Sequence, residues 1–252
     1  MLLALDIGNT NIKSVLFEGD TITEFKAHSN PNDLKDYIDN ISFVEVAISS
    51  VNKFLGKEIV TLFTTKDIPV FLANSKNKFN FEIAYETPDT LGIDRLCSAA
   101  GALNLSLNNK LLSDDQYLLT IDFGTATTIN IVSPDKKFLG GLITPGITTM
   151  LKTLKEKTAQ LPLPKLNSYR GIIGTSTDSS ILSGVYTSTI GMINETISYL
   201  TNKSKVSPLI FATGGNARYV LPYLDKRIIF DEALVLKGLK TIYDLNNPDQ
   251  NF

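Results

Sequence analysis

The sequence predicts an α/β fold built from two similar domains, and three observations carry that reading. Residues 2–5 form a short apolar run, 6–11 a polar turn, and 12–17 resume with β-branched and aromatic residues; the pattern returns at 117–121, 122–125 and 127–132. Segments of helical spacing alternate with short apolar runs after each of these hairpins, as expected of sheets flanked by helices. Between the two copies, residues 107–116 turn to Ser, Asn and Asp, the composition of a linker. The expected domains are therefore 1–112 and 113–252.

In order along the chain, the first hairpin closes at Glu18-Gly19-Asp20, and residues 21–25 add a third strand. Asn30 or Asn32 caps a helix over 32–41, whose Leu34, Tyr37, Ile38 and Ile41 share one face. A strand at 43–49, a helix at 53–63 and a strand at 69–72 follow, then a helix over 90–105 carrying Leu91, Leu96, Ala99, Ala100 and Leu103. In the second half, 136–143 is the third strand, 150–160 and 179–200 are helical, 209–212 is a buried strand, and 231–243 is the closing helix.

Composition excludes several classes of function. The 24 Lys+Arg against 26 Asp+Glu give a net charge of −2, which argues against coating nucleic acid or an anionic membrane surface. No run approaches the roughly 18 apolar residues of a membrane span, and the N-terminal run is too short for a signal-peptide core. Cys97 is the single cysteine, so no intramolecular disulfide forms; its place in a helix reads as a buried, inert thiol, and a cytoplasmic protein is expected. The single histidine, His28, rules out an HExxH zinc helix. It sits in the polar stretch Lys26-Ala27-His28-Ser29-Asn30-Pro31 and reads as a surface residue, not as a triad member.

The chemistry-bearing residues cluster in four motifs. Asp6-Ile7-Gly8-Asn9-Thr10-Asn11-Ile12-Lys13 is a candidate phosphate cradle. There Gly8 lets the backbone approach a ligand in dihedrals closed to other residues, while Asn9, Thr10, Asn11 and backbone amides donate. A carboxylate beside an anion calls for a cation between them, so Asp6 predicts Mg²⁺, and Lys13 offers a point charge to a terminal phosphate. Asp122-Phe123-Gly124-Thr125-Ala126-Thr127-Thr128 is a second hydroxyl-rich turn with its own carboxylate. Thr213-Gly214-Gly215-Asn216-Ala217 joins a strand to a helix, where Gly214 and Gly215 permit close approach to an adenine ring or ribose. Gly92-Ile93-Asp94-Arg95 opens a helix: Asp94, kept ionised by the helix end, is a proton acceptor for a hydroxyl, and Arg95 is able to grip a carboxylate. Each motif also has a plain structural reading, as a hydrogen-bonded turn or a helix start. A P-loop is absent, since Lys13-Ser14 lacks the preceding glycine and Gly56-Lys57 is followed by Glu58. No GxGxxG follows a strand either, so a dinucleotide fold is not supported.

Taken together, DIGNTNIK at 6–13, Tyr85 with GIDR at 92–95, DFGTATT at 122–128, GGLITPG at 140–146, IGTST at 173–177 and ATGGNA at 212–217 resemble the type III pantothenate kinases of the actin, hexokinase and acetate kinase superfamily. The resemblance implies two ribonuclease H-like (actin-like ATPase) domains, with mixed sheets flanked by helices and a nucleotide cleft between them. It implies ATP-dependent phosphorylation of pantothenate, with Mg²⁺ and ATP phosphates at Asp6 through Lys13 and Asp94 as base. Gly92, Ile93 and Arg95 would help hold pantothenate, with further substrate contacts at Tyr85 and Thr177. It also implies an ATP contact at Thr125, K⁺ or NH₄⁺ at Asp122, and a homodimer. Ile93 stands where the family more often has alanine, and Thr175-Ser176 replaces a commoner basic-polar pair. Two other readings remain: a superfamily kinase of another small hydroxylated substrate, and a non-catalytic nucleotide-binding regulator. The joint retention of Asp6, Asp94, Arg95 and Asp122 argues against the regulator.

Overall fold

A computed structural model describes residues 1–248 of the chain. By internal packing the chain divides into two units, one comprising residues 1–110, 136–138 and 233–248, the other 111–135 and 139–232.

In the first unit β1 (Leu2–Ile7), β2 (Ile12–Glu18) and β3 (Thr21–His28) form an antiparallel meander, while β4 (Glu45–Ser50) and β5 (Val70–Leu72) extend the sheet in parallel, in the order β3-β2-β1-β4-β5. The parallel pairings require crossovers, which α1 (Pro31–Ile38) and α2 (Lys53–Thr64) supply. Leu3, Leu5, Ile7, Val46 and Ile48 pack with Leu34, Ile38, Ile59 and Phe63 of those helices. Because side chains alternate along a strand, Leu2, Ala4 and Asp6, together with Ala47 and Ser49, face the other way. That side is packed by α3 (Ile93–Asn108) and α7 (Leu234–Asn246). A Cβ on Gly238 would overlap the Cys97 carbonyl, and one on Gly101 the Leu234 carbonyl, so these glycines set how closely the two helices cross. β6 (Glu82–Ile83) pairs in parallel with Lys137 and Phe138.

In the second unit β7 (Leu118–Phe123) and β8 (Ala126–Val132) repeat the antiparallel hairpin, followed by β9 (Lys137–Pro145), and β10 (Leu209–Thr213) and β11 (Ile229–Phe230) lie parallel to β7. The order is β11-β10-β7-β8-β9. Leu119, Ile121, Phe123 and Ile129 pack against Ile147 and Leu151 of α4 (Ile147–Lys157) and Leu182, Val185, Tyr186 and Ile193 of α5 (Thr177–Ser204). The short α6 (Ala217–Val220) follows β10.

The two-unit α/β architecture with duplicated hairpins matches the expected fold class, and the observed elements differ from expectation at particular points. The closing helix, expected with 113–252, packs in the first unit: Tyr243 Oη donates to Glu45 Oε2 at 2.8 Å, and its ring meets Phe71 edge-on. Residues 249–252 lie outside the described ones. His28 is no surface residue. β3 runs three residues further than periodicity predicts, so His28 faces inward opposite Ile12, 1% exposed, with Nε2 2.8 Å from Ser14 Oγ. Its pKa is lowered, first by burial and then by Lys26. β6, β11 and α6 are too short for any periodic signal.

Candidate active site

Asp6 is the next-to-last residue of β1, and Lys13 sits directly across the ladder from it on β2. The turn itself closes with Gly8 N–H donating to the Asn11 carbonyl at 3.1 Å, and Asn9, Thr10 and Asn11 are exposed. Ile7 and Ile12 turn their side chains into the core, so these two offer a ligand only their backbone. Gly8 is not among the positive-φ glycines, and the expectation of a special dihedral there is corrected. A Cβ there would come within 3.2 Å of the Asn11 carbonyl, so space is what matters at that position. Ser49, level with Asp6 on β4, donates from Oγ to Asp6 Oδ1 at 3.2 Å.

The G-I-D-R motif starts α3, with Gly92 at the cap and Asp94 in the first turn. A Cβ on Gly92 would collide with Asp94 Oδ1, so that glycine makes room for the carboxylate. Arg95 N–H donates to Asp94 Oδ1 at 2.8 Å. The sequence reading has the helix end favour the ionised form of Asp94; burial, the largest effect, acts against it and raises the pKa, and the Arg95 hydrogen bond and charge offset this only in part. A raised carboxylate is better matched to accepting a proton near neutrality. The buried Arg95 guanidinium lies over two rings that themselves meet edge-on, 5.9 Å from the Tyr85 centroid and 5.8 Å from that of Phe138. Tyr85 and Arg95, ten residues apart, are thus brought together. Phe138 was missed, since nothing in a β-hairpin sequence tells which aromatic will meet a distant arginine.

In the second unit Asp122 ends β7, level with Thr213 of β10 and Thr128 of β8. Gly214 has φ +96°, and a Cβ there would overlap Asp122 Oδ1, so both its dihedral and its lack of a side chain are used. Asn216 was not singled out as a site residue. Its backbone N–H donates to the Phe123 carbonyl, and its Nδ2 to the Gly124 carbonyl, each at 2.9 Å. The Thr125 carbonyl accepts from Gly146 N–H at 2.8 Å and from Thr149 Oγ1 at 2.6 Å, which leaves the Thr125 side chain exposed. The DFGT, TPG and TGGN segments therefore form one hydrogen-bonded group around Asp122.

Thr177 is the first residue of α5, behind the Ser176–Ser179 capping box, and is exposed. It lines a cavity of about 800 Å³, mostly apolar, together with Pro145, Met150, Leu154, Ile181 and Val185. Among the described residues no group of three or more His, Cys, Asp or Glu is placed to hold a metal. The carboxylate at the first turn stands beside exposed hydroxyl and amide groups, a donor set that suits a hard cation carried in with phosphates and water. No described helix is long and apolar enough to cross a membrane.

Comparison with known proteins shows the family. The family model for type III pantothenate kinase matches residues 2–199. A type III pantothenate kinase of Flavobacterium psychrophilum is 32% identical over 249 residues, spanning 96% of this chain and 98% of its own. Among solved structures, a Baf family transcriptional activator from Campylobacter jejuni superposes with a TM-score of 0.61 at 21% identity, covering 98% of this chain and 100% of that chain. The activator of 2-hydroxyisocaproyl-CoA dehydratase from Clostridium difficile, with bound ADPNP, gives 0.53 at 13% identity over 98% and 96%. At such identities the structural likeness speaks for the fold alone. With the model matched over most of its length and a relative aligned nearly end to end, the chain belongs to the type III pantothenate kinase family.

Proposed function

We infer that this protein is a pantothenate kinase, which transfers the terminal phosphoryl group of ATP to the primary hydroxyl of pantothenate. The products are ADP and 4′-phosphopantothenate, the first step towards coenzyme A. The observation that carries the reading is the Asp94–Arg95 pair at the start of α3: a carboxylate with raised pKa beside a guanidinium that lies over the Tyr85 and Phe138 rings.

In this mechanism Arg95 grips the pantothenate carboxylate, and Tyr85, Gly92, Ile93 and Thr177 complete the substrate contacts. Asp94 orients the hydroxyl and takes its proton as the oxygen forms its bond to phosphorus and the bond to the ADP oxygen breaks. Such transfers pass through a loose transition state, so positioning and charge neutralisation outweigh strong base catalysis. Asp6 through Lys13 hold the ATP phosphates, with Thr125, Gly214 and Gly215 as further ATP contacts. Asp6 would hold Mg²⁺, directly or through water, and Asp122 a K⁺ or NH₄⁺ ion; when bound, these cations would supply positive charge against the phosphates. A cytoplasmic homodimer is the working assembly.

The test is ADP release by the purified protein with ATP, Mg²⁺ and NH₄⁺, using pantothenate, a panel of sugars, or no acceptor. Release that requires pantothenate is expected. Turnover with a sugar alone would assign a different superfamily kinase, and ATP binding without any acceptor-dependent turnover would assign a regulator.

A further inference from the structure

The two serines that end β4 have separate tasks. Ser50 Oγ donates to the Asn52 carbonyl at 3.0 Å, and Asn52 caps α2 through Leu55 N–H, so Ser50 shapes the start of a helix. Ser49 points to the opposite face of the sheet. It is fully buried, out of reach of any ligand, and its hydroxyl goes to Asp6 Oδ1.

The direction of that bond is set by chemistry. An ionised carboxylate only accepts, so the single hydroxyl hydrogen of Ser49 is spent on Asp6. The Cys97 thiol is fully buried on α3. Burial, and then the negative charges of Asp6 and Asp94, keep Cys97 in its thiol form. Cys97 lies three residues beyond Asp94, on the same side of α3.

We propose that Ser49 is a positioning residue for nucleotide-bound Mg²⁺: its hydroxyl fixes the orientation of the Asp6 carboxylate, so that Asp6 meets the cation already oriented. This rests on the reading of Asp6 as the Mg²⁺-side carboxylate. The observations behind it are the level register of the two residues on neighbouring strands, the 3.2 Å hydrogen bond, and the burial that denies Ser49 direct contact with a ligand. A hydroxyl given to a carboxylate is a charge-assisted bond, stronger than one between neutral groups and directional enough to fix a side-chain rotamer.

The experiment compares wild type, Ser49→Ala, Ser49→Cys and Ser14→Ala. Ser14 is an equally buried serine of the same sheet whose partner is His28. Calorimetry measures ADP binding with and without Mg²⁺, steady-state kinetics give KM for MgATP and for pantothenate, and thermal melts report the fold. For Ser49→Ala, affinity for MgADP should fall about tenfold and KM for MgATP should rise alike, as expected for one charge-assisted hydrogen bond. Binding of ADP without Mg²⁺ and KM for pantothenate should stay within about twofold of wild type in that variant, because neither engages Asp6 through the cation. Ser49→Cys, which fills the same space with a weaker donor, should fall in between, and Ser14→Ala should bind MgADP as wild type does. Wild-type MgADP affinity in Ser49→Ala, or an equal loss with and without Mg²⁺, overturns the proposal. If Ser49→Ala does not fold, wild-type affinity in Ser49→Cys overturns it. A wild-type protein that binds MgADP but does not phosphorylate pantothenate would refute the proposed function alone, since the binding comparison still decides the role of Ser49.

Discussion

Asn216 Nδ2 donates to the Gly124 carbonyl at 2.9 Å, so the turn after β10 and the turn after β7 are held together by one side chain. The same amide lies 3.3 Å from Thr148 Oγ1 near the start of α4, which brings a third segment into the group. Removing it leaves the Gly124 carbonyl without this donor and frees the Asp122–Thr125 turn to relax. Asn216→Ala should therefore weaken ATP binding about tenfold, the effect of losing one to two net hydrogen bonds. Asn216→Asp should be no better, because a carboxylate cannot donate to a carbonyl. Titration with a non-hydrolysable ATP analogue checks both, and unchanged affinity in Asn216→Ala would show that the turn holds its shape without the amide.

Asp94 carries two linked expectations. As the base, its loss in Asp94→Asn should lower kcat by roughly 10²- to 10⁴-fold with little change in ATP affinity. Since burial raises its pKa, kcat/KM should decline with falling pH at a value above about 4, where an ordinary aspartate protonates. Stability should move the other way. A carboxylate whose folded pKa exceeds its unfolded value favours the fold while protonated and loses that contribution as pH rises through the folded value. At neutral pH the ionised Asp94 is thus a cost to the fold, and Asp94→Asn should melt at a higher temperature than wild type, the gap closing below about pH 4. Melts across pH together with single-turnover rates test both; a variant that is less stable at neutral pH would refute the burial argument.

What could be read from the chain alone follows from what is local. The D-x-G hairpins were legible twice because strand, turn and strand are contiguous and the second copy repeats the first. GIDR was legible as a helix start because Asp94 and Arg95 sit in the first turn. The relations that hold these motifs in place were not legible. Ser49 reads as one of two serines at a strand end, and only its register with Asp6 distinguishes it. Phe138 belongs to a hairpin in the second half of the sequence, yet it meets Arg95 in the first unit. His28 was misplaced for a local reason: Lys26, Ser29 and Asn30 make its neighbourhood polar, but in a strand every second side chain points inward whatever its neighbours are. Chain order likewise assigned the last helix to the second domain, although its apolar face matches the sheet of the first.

His28 makes the fold sensitive to acid. Its pKa is lowered by burial and by Lys26, against weaker opposing effects of Asp33 and Glu24, and Tyr37 packs against its ring at 5.1 Å. Between its lowered folded value and the ordinary 6.5 the unfolded chain binds the extra proton, so stability falls as pH drops through that window. His28→Gln retains a group able to hydrogen-bond Ser14 and does not titrate. Its melting temperature should fall less than that of wild type between about pH 7 and pH 5. Parallel melting curves over that range would show that His28 contributes nothing to the acid response.

The last helix supplies a test of how the first unit is completed. Tyr243 is fully buried, its hydroxyl spent on Glu45 at the start of β4, with burial and that carboxylate raising its pKa. Tyr243→Phe keeps the ring against Phe71 and removes only the donor, leaving a carboxylate oxygen buried without it. The expected cost is about 1–3 kcal/mol, read as a melting temperature lower by several degrees. The partner substitution Glu45→Gln should cost less, because an amide oxygen still accepts from the tyrosine without a buried charge. Since one hydrogen bond joins the two sites, Tyr243→Phe combined with Glu45→Gln should be more stable than the sum of the single changes predicts. Strict additivity would mean that α7 is held by its apolar face and the glycine crossing with α3 alone.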